Sequence, residues 1–389
     1  MMTTTQQTTD PRTSLTGCRR IVVKIGSRVL VQRTGRPDMR RIRGLVNELA
    51  GLRKSGQDVV FVTSGAIGAG LEALGMKRRP TLLADLQMAA AVGQSRLMTR
   101  YDKLFASRRQ LIGQVLLTHD DLKHRERHLN ARNTMMTMMN AGVIPIVNEN
   151  DVVAVDEIKF GDNDLLASLV VHLIEANLLI LLSTTDGLKS FSASGRGRRI
   201  PLVTAVTDEI LALANGKGSP LSTGGMASKL KSAHAATQSG AQVVIADGRM
   251  PGIIGRILKG EDVGTLILPS AKDEKEALSG RKRWIAFFHK PKGTLKVDAG
   301  AARALLKGGK SLLPIGVTTV EGEFDVGAAV DILGPDGALI ARGLVCYSSQ
   351  DIVKIKGQRT EAIPGILNRD EGYDEVIHRD NLATLVGGE

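Results

Sequence analysis

The chain has 389 residues, 42% of them hydrophobic and 24% charged. That length fits two or three domains with a self-sufficient core, and the composition excludes a disordered or fibrous protein. A net charge of +12, from 52 Lys and Arg against 40 Asp and Glu, raises nucleic acid as a partner, whereas 3% aromatics argue against a stacking platform for single strands.

Residues 1–17 are polar and lack the apolar stretch of a secretory signal, so a disordered tail is expected there. Cys18 and Cys346 lie far apart and fit neither a disulfide framework nor a zinc site. Arg20 to Gly26 (RIVVKIG) reads as a buried strand ended by Gly. Helical spacing over 38–55 leads to a second buried strand at 58–63. The Ala- and Leu-rich 81–107 is helical, Gln110 to Leu117 strand-like, 122–141 helical and Val143 to Val147 a strand. Leu165 to Ala176 reads as a helix and Leu178 to Leu182 as a strand. His172, Glu175 and Asn177 interrupt that apolar stretch and argue against a membrane span. Helices at 207–215 and 225–239 precede a strand at 241–246. Buried strands alternating with helices predict a largely parallel sheet covered on both faces, over residues 18–268.

Residues 269–280 are polar and charged, as a linker would be. From 281 to 389 the texture changes to short β-like runs at 284–288, 312–320, 330–333, 339–347 and 352–355, between Gly, Pro and Asp turns. A small, mostly β second domain is expected. This part carries 15 Lys and Arg against 14 Asp and Glu, so eleven of the twelve net charges precede residue 281.

The chain has no P-loop signature. Gly65-Ala-Ile-Gly68-Ala-Gly70 follows a strand and opens a helix, but G-x-x-G-x-G is not the dinucleotide fingerprint. His124 and His128 stand one turn apart without the H-E-x-x-H pattern, and their charged neighbours suggest a solvated helix face. Four segments at strand ends carry chemistry, because ligands of parallel sheets bind outside the carboxyl ends of the strands. Lys24, within a buried strand, needs a charged partner. A phosphate suits it, and Gly26 allows close approach. Thr63-Ser64-Gly65-Ala66 offers small residues and free N–H groups at a helix start. Asn148-Glu149-Asn150-Asp151 and Gly161-Asp162-Asn163-Asp164 gather carboxylates and amides suited to an amino group, a carboxylate or Mg²⁺. Thr223-Gly224-Gly225-Met226-Ala227-Ser228-Lys229 is an anion cradle with a lysine added. Two lysines, two Gly-rich helix entrances and an acidic-amide loop suit phosphoryl transfer, where catalysis is mostly positioning and charge neutralisation.

At these residues the chain resembles the amino-acid kinase superfamily, most closely its glutamate-phosphorylating branch. The resemblance covers nearly everything after residue 18. It rests on V-V-K-I-G-S-x-V-L (22–30), V-T-S-G-A-I (62–67), A-A-V-G-Q-S-R-L (90–97), R-E-R-x-L-N-A-R-N-T (125–134), N-E-N-D (148–151), G-D-N-D (161–164) and Ser222 to Lys229. The C-terminal part, from Arg281-Lys-Arg-Trp-Ile285 through Ser311 to Pro314, resembles a PUA domain. The resemblance implies a three-layer α/β sandwich followed by a PUA-like barrel with a C-terminal extension. It also implies ATP- and Mg²⁺-dependent phosphorylation of the γ-carboxylate of L-glutamate, the first step of proline biosynthesis, with feedback inhibition by L-proline and a dimeric or tetrameric assembly. A cytoplasmic protein is expected, with no membrane or nucleic-acid partner.

By the same resemblance, Lys24 and Lys229 bind phosphate and Asp164 orients them. Ser64, Gly65, Ala66, Asn148, Asp151, Asp162 and Asn163 hold glutamate. Lys24, Gly26, Ser183, Thr184 and Thr223 to Lys229 (Thr223, Gly224, Gly225, Met226, Ala227, Ser228, Lys229) hold the nucleotide. Ser183 and Thr184 fall where the family has Thr-Asp, so the carboxylate usual at that place is missing. The alternatives are another carboxylate acceptor, such as N-acetylglutamate, and RNA binding through the PUA-like part.

Overall fold

The computed structural model describes residues 10–32, 37–154, 163–191, 197–213, 225–269, 282, 285–286, 291–368 and 373–385. The chain divides into two compact units, 1–270 and 271–389. The linker expected at 269–280 lies outside the described residues apart from Pro269.

In the first unit the strands are β1 (Arg20–Ile25), β2 (Asp58–Val62), β3 (Ile112–Leu117), β4 (Ile144–Glu149), β5 (Leu178–Ser183), β6 (Lys189–Phe191), β7 (Gly197–Arg199), β8 (Leu202–Val203), β9 (Gln242–Asp247) and β10 (Thr265–Ile267). The helices are α1 (Ser27–Leu30), α2 (Met39–Lys54), α3 (Ala66–Ala73), α4 (Leu83–Ala106), α5 (His119–Lys123), α6 (Arg125–Asn140), α7 (Asn163–Ile174), α8 (Asp208–Leu213), α9 (Met226–Thr237) and α10 (Ile253–Leu258). Eight strands form one sheet in the order β3-β4-β2-β1-β5-β9-β10-β8, and β6 pairs with β7 separately. Pairing is parallel from β3 to β9; β10 runs antiparallel to β9 and parallel to β8. The expected α/β fold with a largely parallel sheet is therefore present.

Strand alternation sorts the side chains to two faces. Ile21, Val23 and Ile25 of β1 join one core with Ile42, Leu45 and Leu49 of α2 and Phe105 of α4. Val22 and Lys24 point the other way, where α7 packs on β1. Because the central strands run parallel, the residues after β1, β2, β4 and β5 all emerge along one sheet edge.

The helix pair α3 and α4 packs backbone on backbone. A Cβ at Gly93 would sit 1.7 Å from the carbonyl oxygen of Ala66, and one at Gly70 equally close to that of Ala89. Only glycine permits this approach. Gly70 thus serves helix packing, whereas Gly65 has φ +111° and turns the chain into α3.

Several expectations change. Residues 10–17 are not part of a disordered tail: Pro11–Gly17 form a 3-10 helix with Leu15 fully buried. The Arg12 guanidinium donates to the carbonyls of Pro201, Glu261, Val263 and Gly264, at 2.8 to 3.2 Å. Residues 1–9 lie outside the described set. The histidine face is only half solvated: His124 is exposed, but His128 is buried.

The second unit contains β11 (Gly293–Val297), β12 (Val317–Glu321), β13 (Ala329–Leu333), β14 (Leu339–Leu344) and β15 (Leu382–Thr384), with α11 (Ala299–Gly308), α12 (Ser349–Ile355) and α13 (Ile363–Leu367). The strands form one mixed sheet in the order β12-β11-β13-β14-β15 around its own core. The run at 352–355 is helical, not β. Ser348 caps α12, its side chain accepting from the Asp351 N–H, and Ile352 and Ile355 are buried one turn apart while Val353 is exposed. Of the run at 284–288, Ile285 and Ala286 are helical and the rest lie outside the described residues.

Candidate active site

A cavity of about 890 Å³ opens along the edge where β1, β2, β4 and β5 end. Lys24 reaches it from β1 and Gly26 from the following turn. Ser64, Gly65 and Ala66 come from the β2–α3 junction. Asn148 and Asp151 come from β4 and the turn after it, Asn163 and Asp164 from the start of α7, Ser183 and Thr184 from the end of β5, and Lys229 from the first turns of α9. Gly225, Met226, Ala227 and Ser228 belong to the same entrance to α9, with Gly225 as its N-cap, but do not line the cavity. Asp162, Thr223 and Gly224 lie outside the described residues.

At the centre, Asp164 is 1% exposed and bridges two buried ammonium groups. Its Oδ1 pairs with Lys24 Nζ and its Oδ2 with Lys229 Nζ at 2.7 Å. Burial pushes the Asp164 carboxyl up, but the two ammonium groups outweigh it and hold the group below the ordinary carboxylate range. The cluster carries one net positive charge in a desolvated place, which is the electrostatic demand of a phosphoryl group.

A second cluster is built from amides. Asn163 Nδ2 donates to the Thr63 carbonyl at 2.6 Å, to Asn148 Oδ1 at 2.8 Å and to Ser64 Oγ at 2.9 Å. Asn148 Nδ2 in turn donates to Gln94 Oε1 at 2.9 Å. Glu149 and Asp151 add carboxylates to this side of the cavity. The Thr63 hydroxyl meets the Tyr101 hydroxyl at 2.7 Å. Burial raises the Tyr101 hydroxyl far above its usual value, so it stays protonated.

At position 184 the carboxylate of the family pattern is replaced by an exposed threonine. Its carbonyl accepts from Arg249 Nη2 at 2.8 Å, and Arg249 pairs with Asp247 at 2.7 Å, so the backbone there is held in place. Gln94, Tyr101 and Arg249 escaped sequence reasoning. Gln94 and Tyr101 sit on a helix with no motif grammar of their own, although Gln94 falls inside the A-A-V-G-Q-S-R-L match.

Among the described residues, no three His, Cys, Asp or Glu converge as a metal cage. No helix among the described residues is long and apolar enough to cross a membrane.

The fold and site define a class. The amino acid kinase family matches residues 19–247, and the PUA domain matches 293–367. Curated relatives narrow it. A glutamate 5-kinase of Moorella thermoacetica is 48% identical over 376 residues, covering 96% of this chain and 98% of that protein. A glutamate 5-kinase of Geobacter sulfurreducens is 47% identical over 375 residues, covering 95% and 99%. The chain belongs to the amino acid kinase family and, within it, to the glutamate 5-kinases.

Proposed function

We propose that the chain phosphorylates the γ-carboxylate of L-glutamate with ATP, giving γ-glutamyl phosphate and ADP. The observation that carries this is the buried Lys24–Asp164–Lys229 cluster in a cavity that is also lined by the amides of Asn148 and Asn163 and the carboxylates of Glu149 and Asp151. A γ-carboxylate is ionised at neutral pH and is already the nucleophile, so no general base is needed. The difficulty is bringing two anions together, and the two lysines offset their repulsion. Asp164 touches both ammonium groups and orients them. When bound with the nucleotide, Mg²⁺ supplies further neutralisation of phosphate charge.

Ser64, Gly65, Ala66, Asp151 and Asn163 are assigned to glutamate, with Asp162 and Asn148 beside them. The acidic set suits a free α-ammonium better than an acetamide, which favours glutamate over N-acetylglutamate. Gly26, Ser183, Thr184 and the 223–229 entrance are assigned to the nucleotide, with Thr184 acting through its backbone. We assign the reaction to the first step of proline biosynthesis in the cytoplasm, with a homo-oligomeric enzyme and proline competing in the glutamate pocket. Purely noncompetitive inhibition by proline would count against that overlap.

The test is ADP release with glutamate, aspartate or N-acetylglutamate as acceptor, with hydroxylamine trapping the acyl phosphate. Hydroxamate with glutamate is expected. Turnover confined to another acceptor refutes the assignment.

A further inference from the structure

Gln94 lies on α4, behind the cavity rather than on its wall. Its Oε1 accepts from Asn148 Nδ2, which leaves Asn148 Oδ1 to accept from Asn163 Nδ2. The same Asn163 nitrogen also donates to the Thr63 carbonyl and the Ser64 hydroxyl. Among the described residues all these bonds use the nitrogen of Asn163, which leaves its Oδ1 as the acceptor for a ligand in the cavity. An amide has one donor end and one acceptor end, and reversing either asparagine reverses what it offers. The chain Gln94–Asn148–Asn163 is thus a polarity relay, and its outer end is not on the ligand-facing surface.

We infer that Gln94 is a positioning residue for the acceptor substrate: it fixes the amide direction of Asn148, which joins the Thr63 carbonyl in holding Asn163 so that Asn163 presents a carbonyl oxygen to a substrate bearing an ammonium group. This rests on glutamate, with its free α-ammonium, being that substrate. Without the Gln94 acceptor, Asn148 is free to turn, and Asn163 is then held by the Thr63 carbonyl and the Ser64 hydroxyl without its third partner. Asn148 lines the cavity and gives one N–H to Gln94 and one lone pair to Asn163, so it acts on the substrate partly through Asn163.

Two substitutions separate polarity from bulk. Gln94→Glu keeps an oxygen where Asn148 needs an acceptor, whereas Gln94→Met keeps the length and removes it. In the full chain, Gln94→Met is expected to raise the KM for glutamate about five- to tenfold, the worth of one orienting hydrogen bond, with the KM for ATP unchanged. Gln94→Glu is expected to stay within about twofold of wild type for both substrates. Thermal melts establish that each variant folds, and Gln94→Ala replaces the Met variant should that one not fold. A Met or Ala variant with wild-type glutamate KM overturns the inference. So does a Glu variant as impaired as Met, or a KM for ATP that rises in step with that for glutamate, since either marks a merely structural role. Wild-type protein inactive with glutamate but active with another ammonium-bearing acceptor refutes the glutamate assignment alone, and the same comparison then decides the relay on that acceptor.

Discussion

Removing the Asp164 charge while keeping its shape isolates the electrostatics of the central cluster. In Asp164→Asn, two buried ammonium groups lose the carboxylate that they share and the cluster goes from one net positive charge to two. Each ammonium lies within hydrogen-bond reach of that carboxylate, and all three groups are more than 90% buried. Deleting one partner of such a pair costs about 3–5 kcal/mol. For a domain of this size, a shift of roughly 2–4 °C per kcal/mol gives a melting temperature about 6–20 °C lower. Lys24→Met should cost far less, because Asp164 keeps Lys229 as partner. Adding Lys24→Met to Asp164→Asn should raise the melting point again by removing the repulsion. Thermal unfolding followed by circular dichroism reads all four proteins. The reasoning fails if Asp164→Asn melts within about 2 °C of wild type, or if Lys24→Met is the more damaging substitution. The pH dependence has a fixed sign. The Asp164 carboxyl is held below its unfolded value near 3.8. Its contribution is therefore complete above pH ~4 and is lost as pH falls through the lower folded value. Wild type should lose its advantage over Asp164→Asn in that acid range.

Two further outcomes follow from the same geometry. Lys229→Ala should lower turnover on the order of 10²–10³-fold while leaving the melting temperature near that of wild type, since Asp164 retains Lys24; a folded, fully active variant removes Lys229 from the chemistry. Gly93→Ala forces a methyl against the Ala66 carbonyl, which backbone movement alone can relieve, and should destabilise by about 3 kcal/mol or more; a soluble variant with wild-type melting and glutamate KM contradicts the backbone-on-backbone packing of α3 and α4.

The parallel core was legible because β-branched runs such as Ile21-Val22-Val23 and Leu178 to Leu182 carry their burial in their own composition. Lys24 was legible for the opposite reason: a charge inside such a run needs a partner, and Asp164 is that partner. What stayed hidden depends on contacts distant in sequence. Arg12 looked like tail because its acceptors are backbone carbonyls, which leave no trace in residue type. Gln94 looked like any polar residue on a helix. Ile352 to Ile355 misled because branched side chains favoured a strand, although burial at i and i+3 with exposure between is a helical period. The glycines at 70 and 93 were visible, but only the crossing of α3 on α4 gives them a shared purpose.

The Arg12 clasp has a consequence for how the chain is made. Its guanidinium closes bonds across 189 to 252 residues of sequence, to carbonyls beside the last strand of the sheet. On a translating ribosome the segment around Arg12 emerges long before its acceptors around Gly264, which follow only after nearly the whole first unit has been synthesised. Until then, Leu15 and the sheet face that it covers stay open to water and to other nascent chains. Closure of this unit is therefore a late step of synthesis, with the long loop that high-separation contacts impose, and the interval before it is when the chain depends most on chaperones.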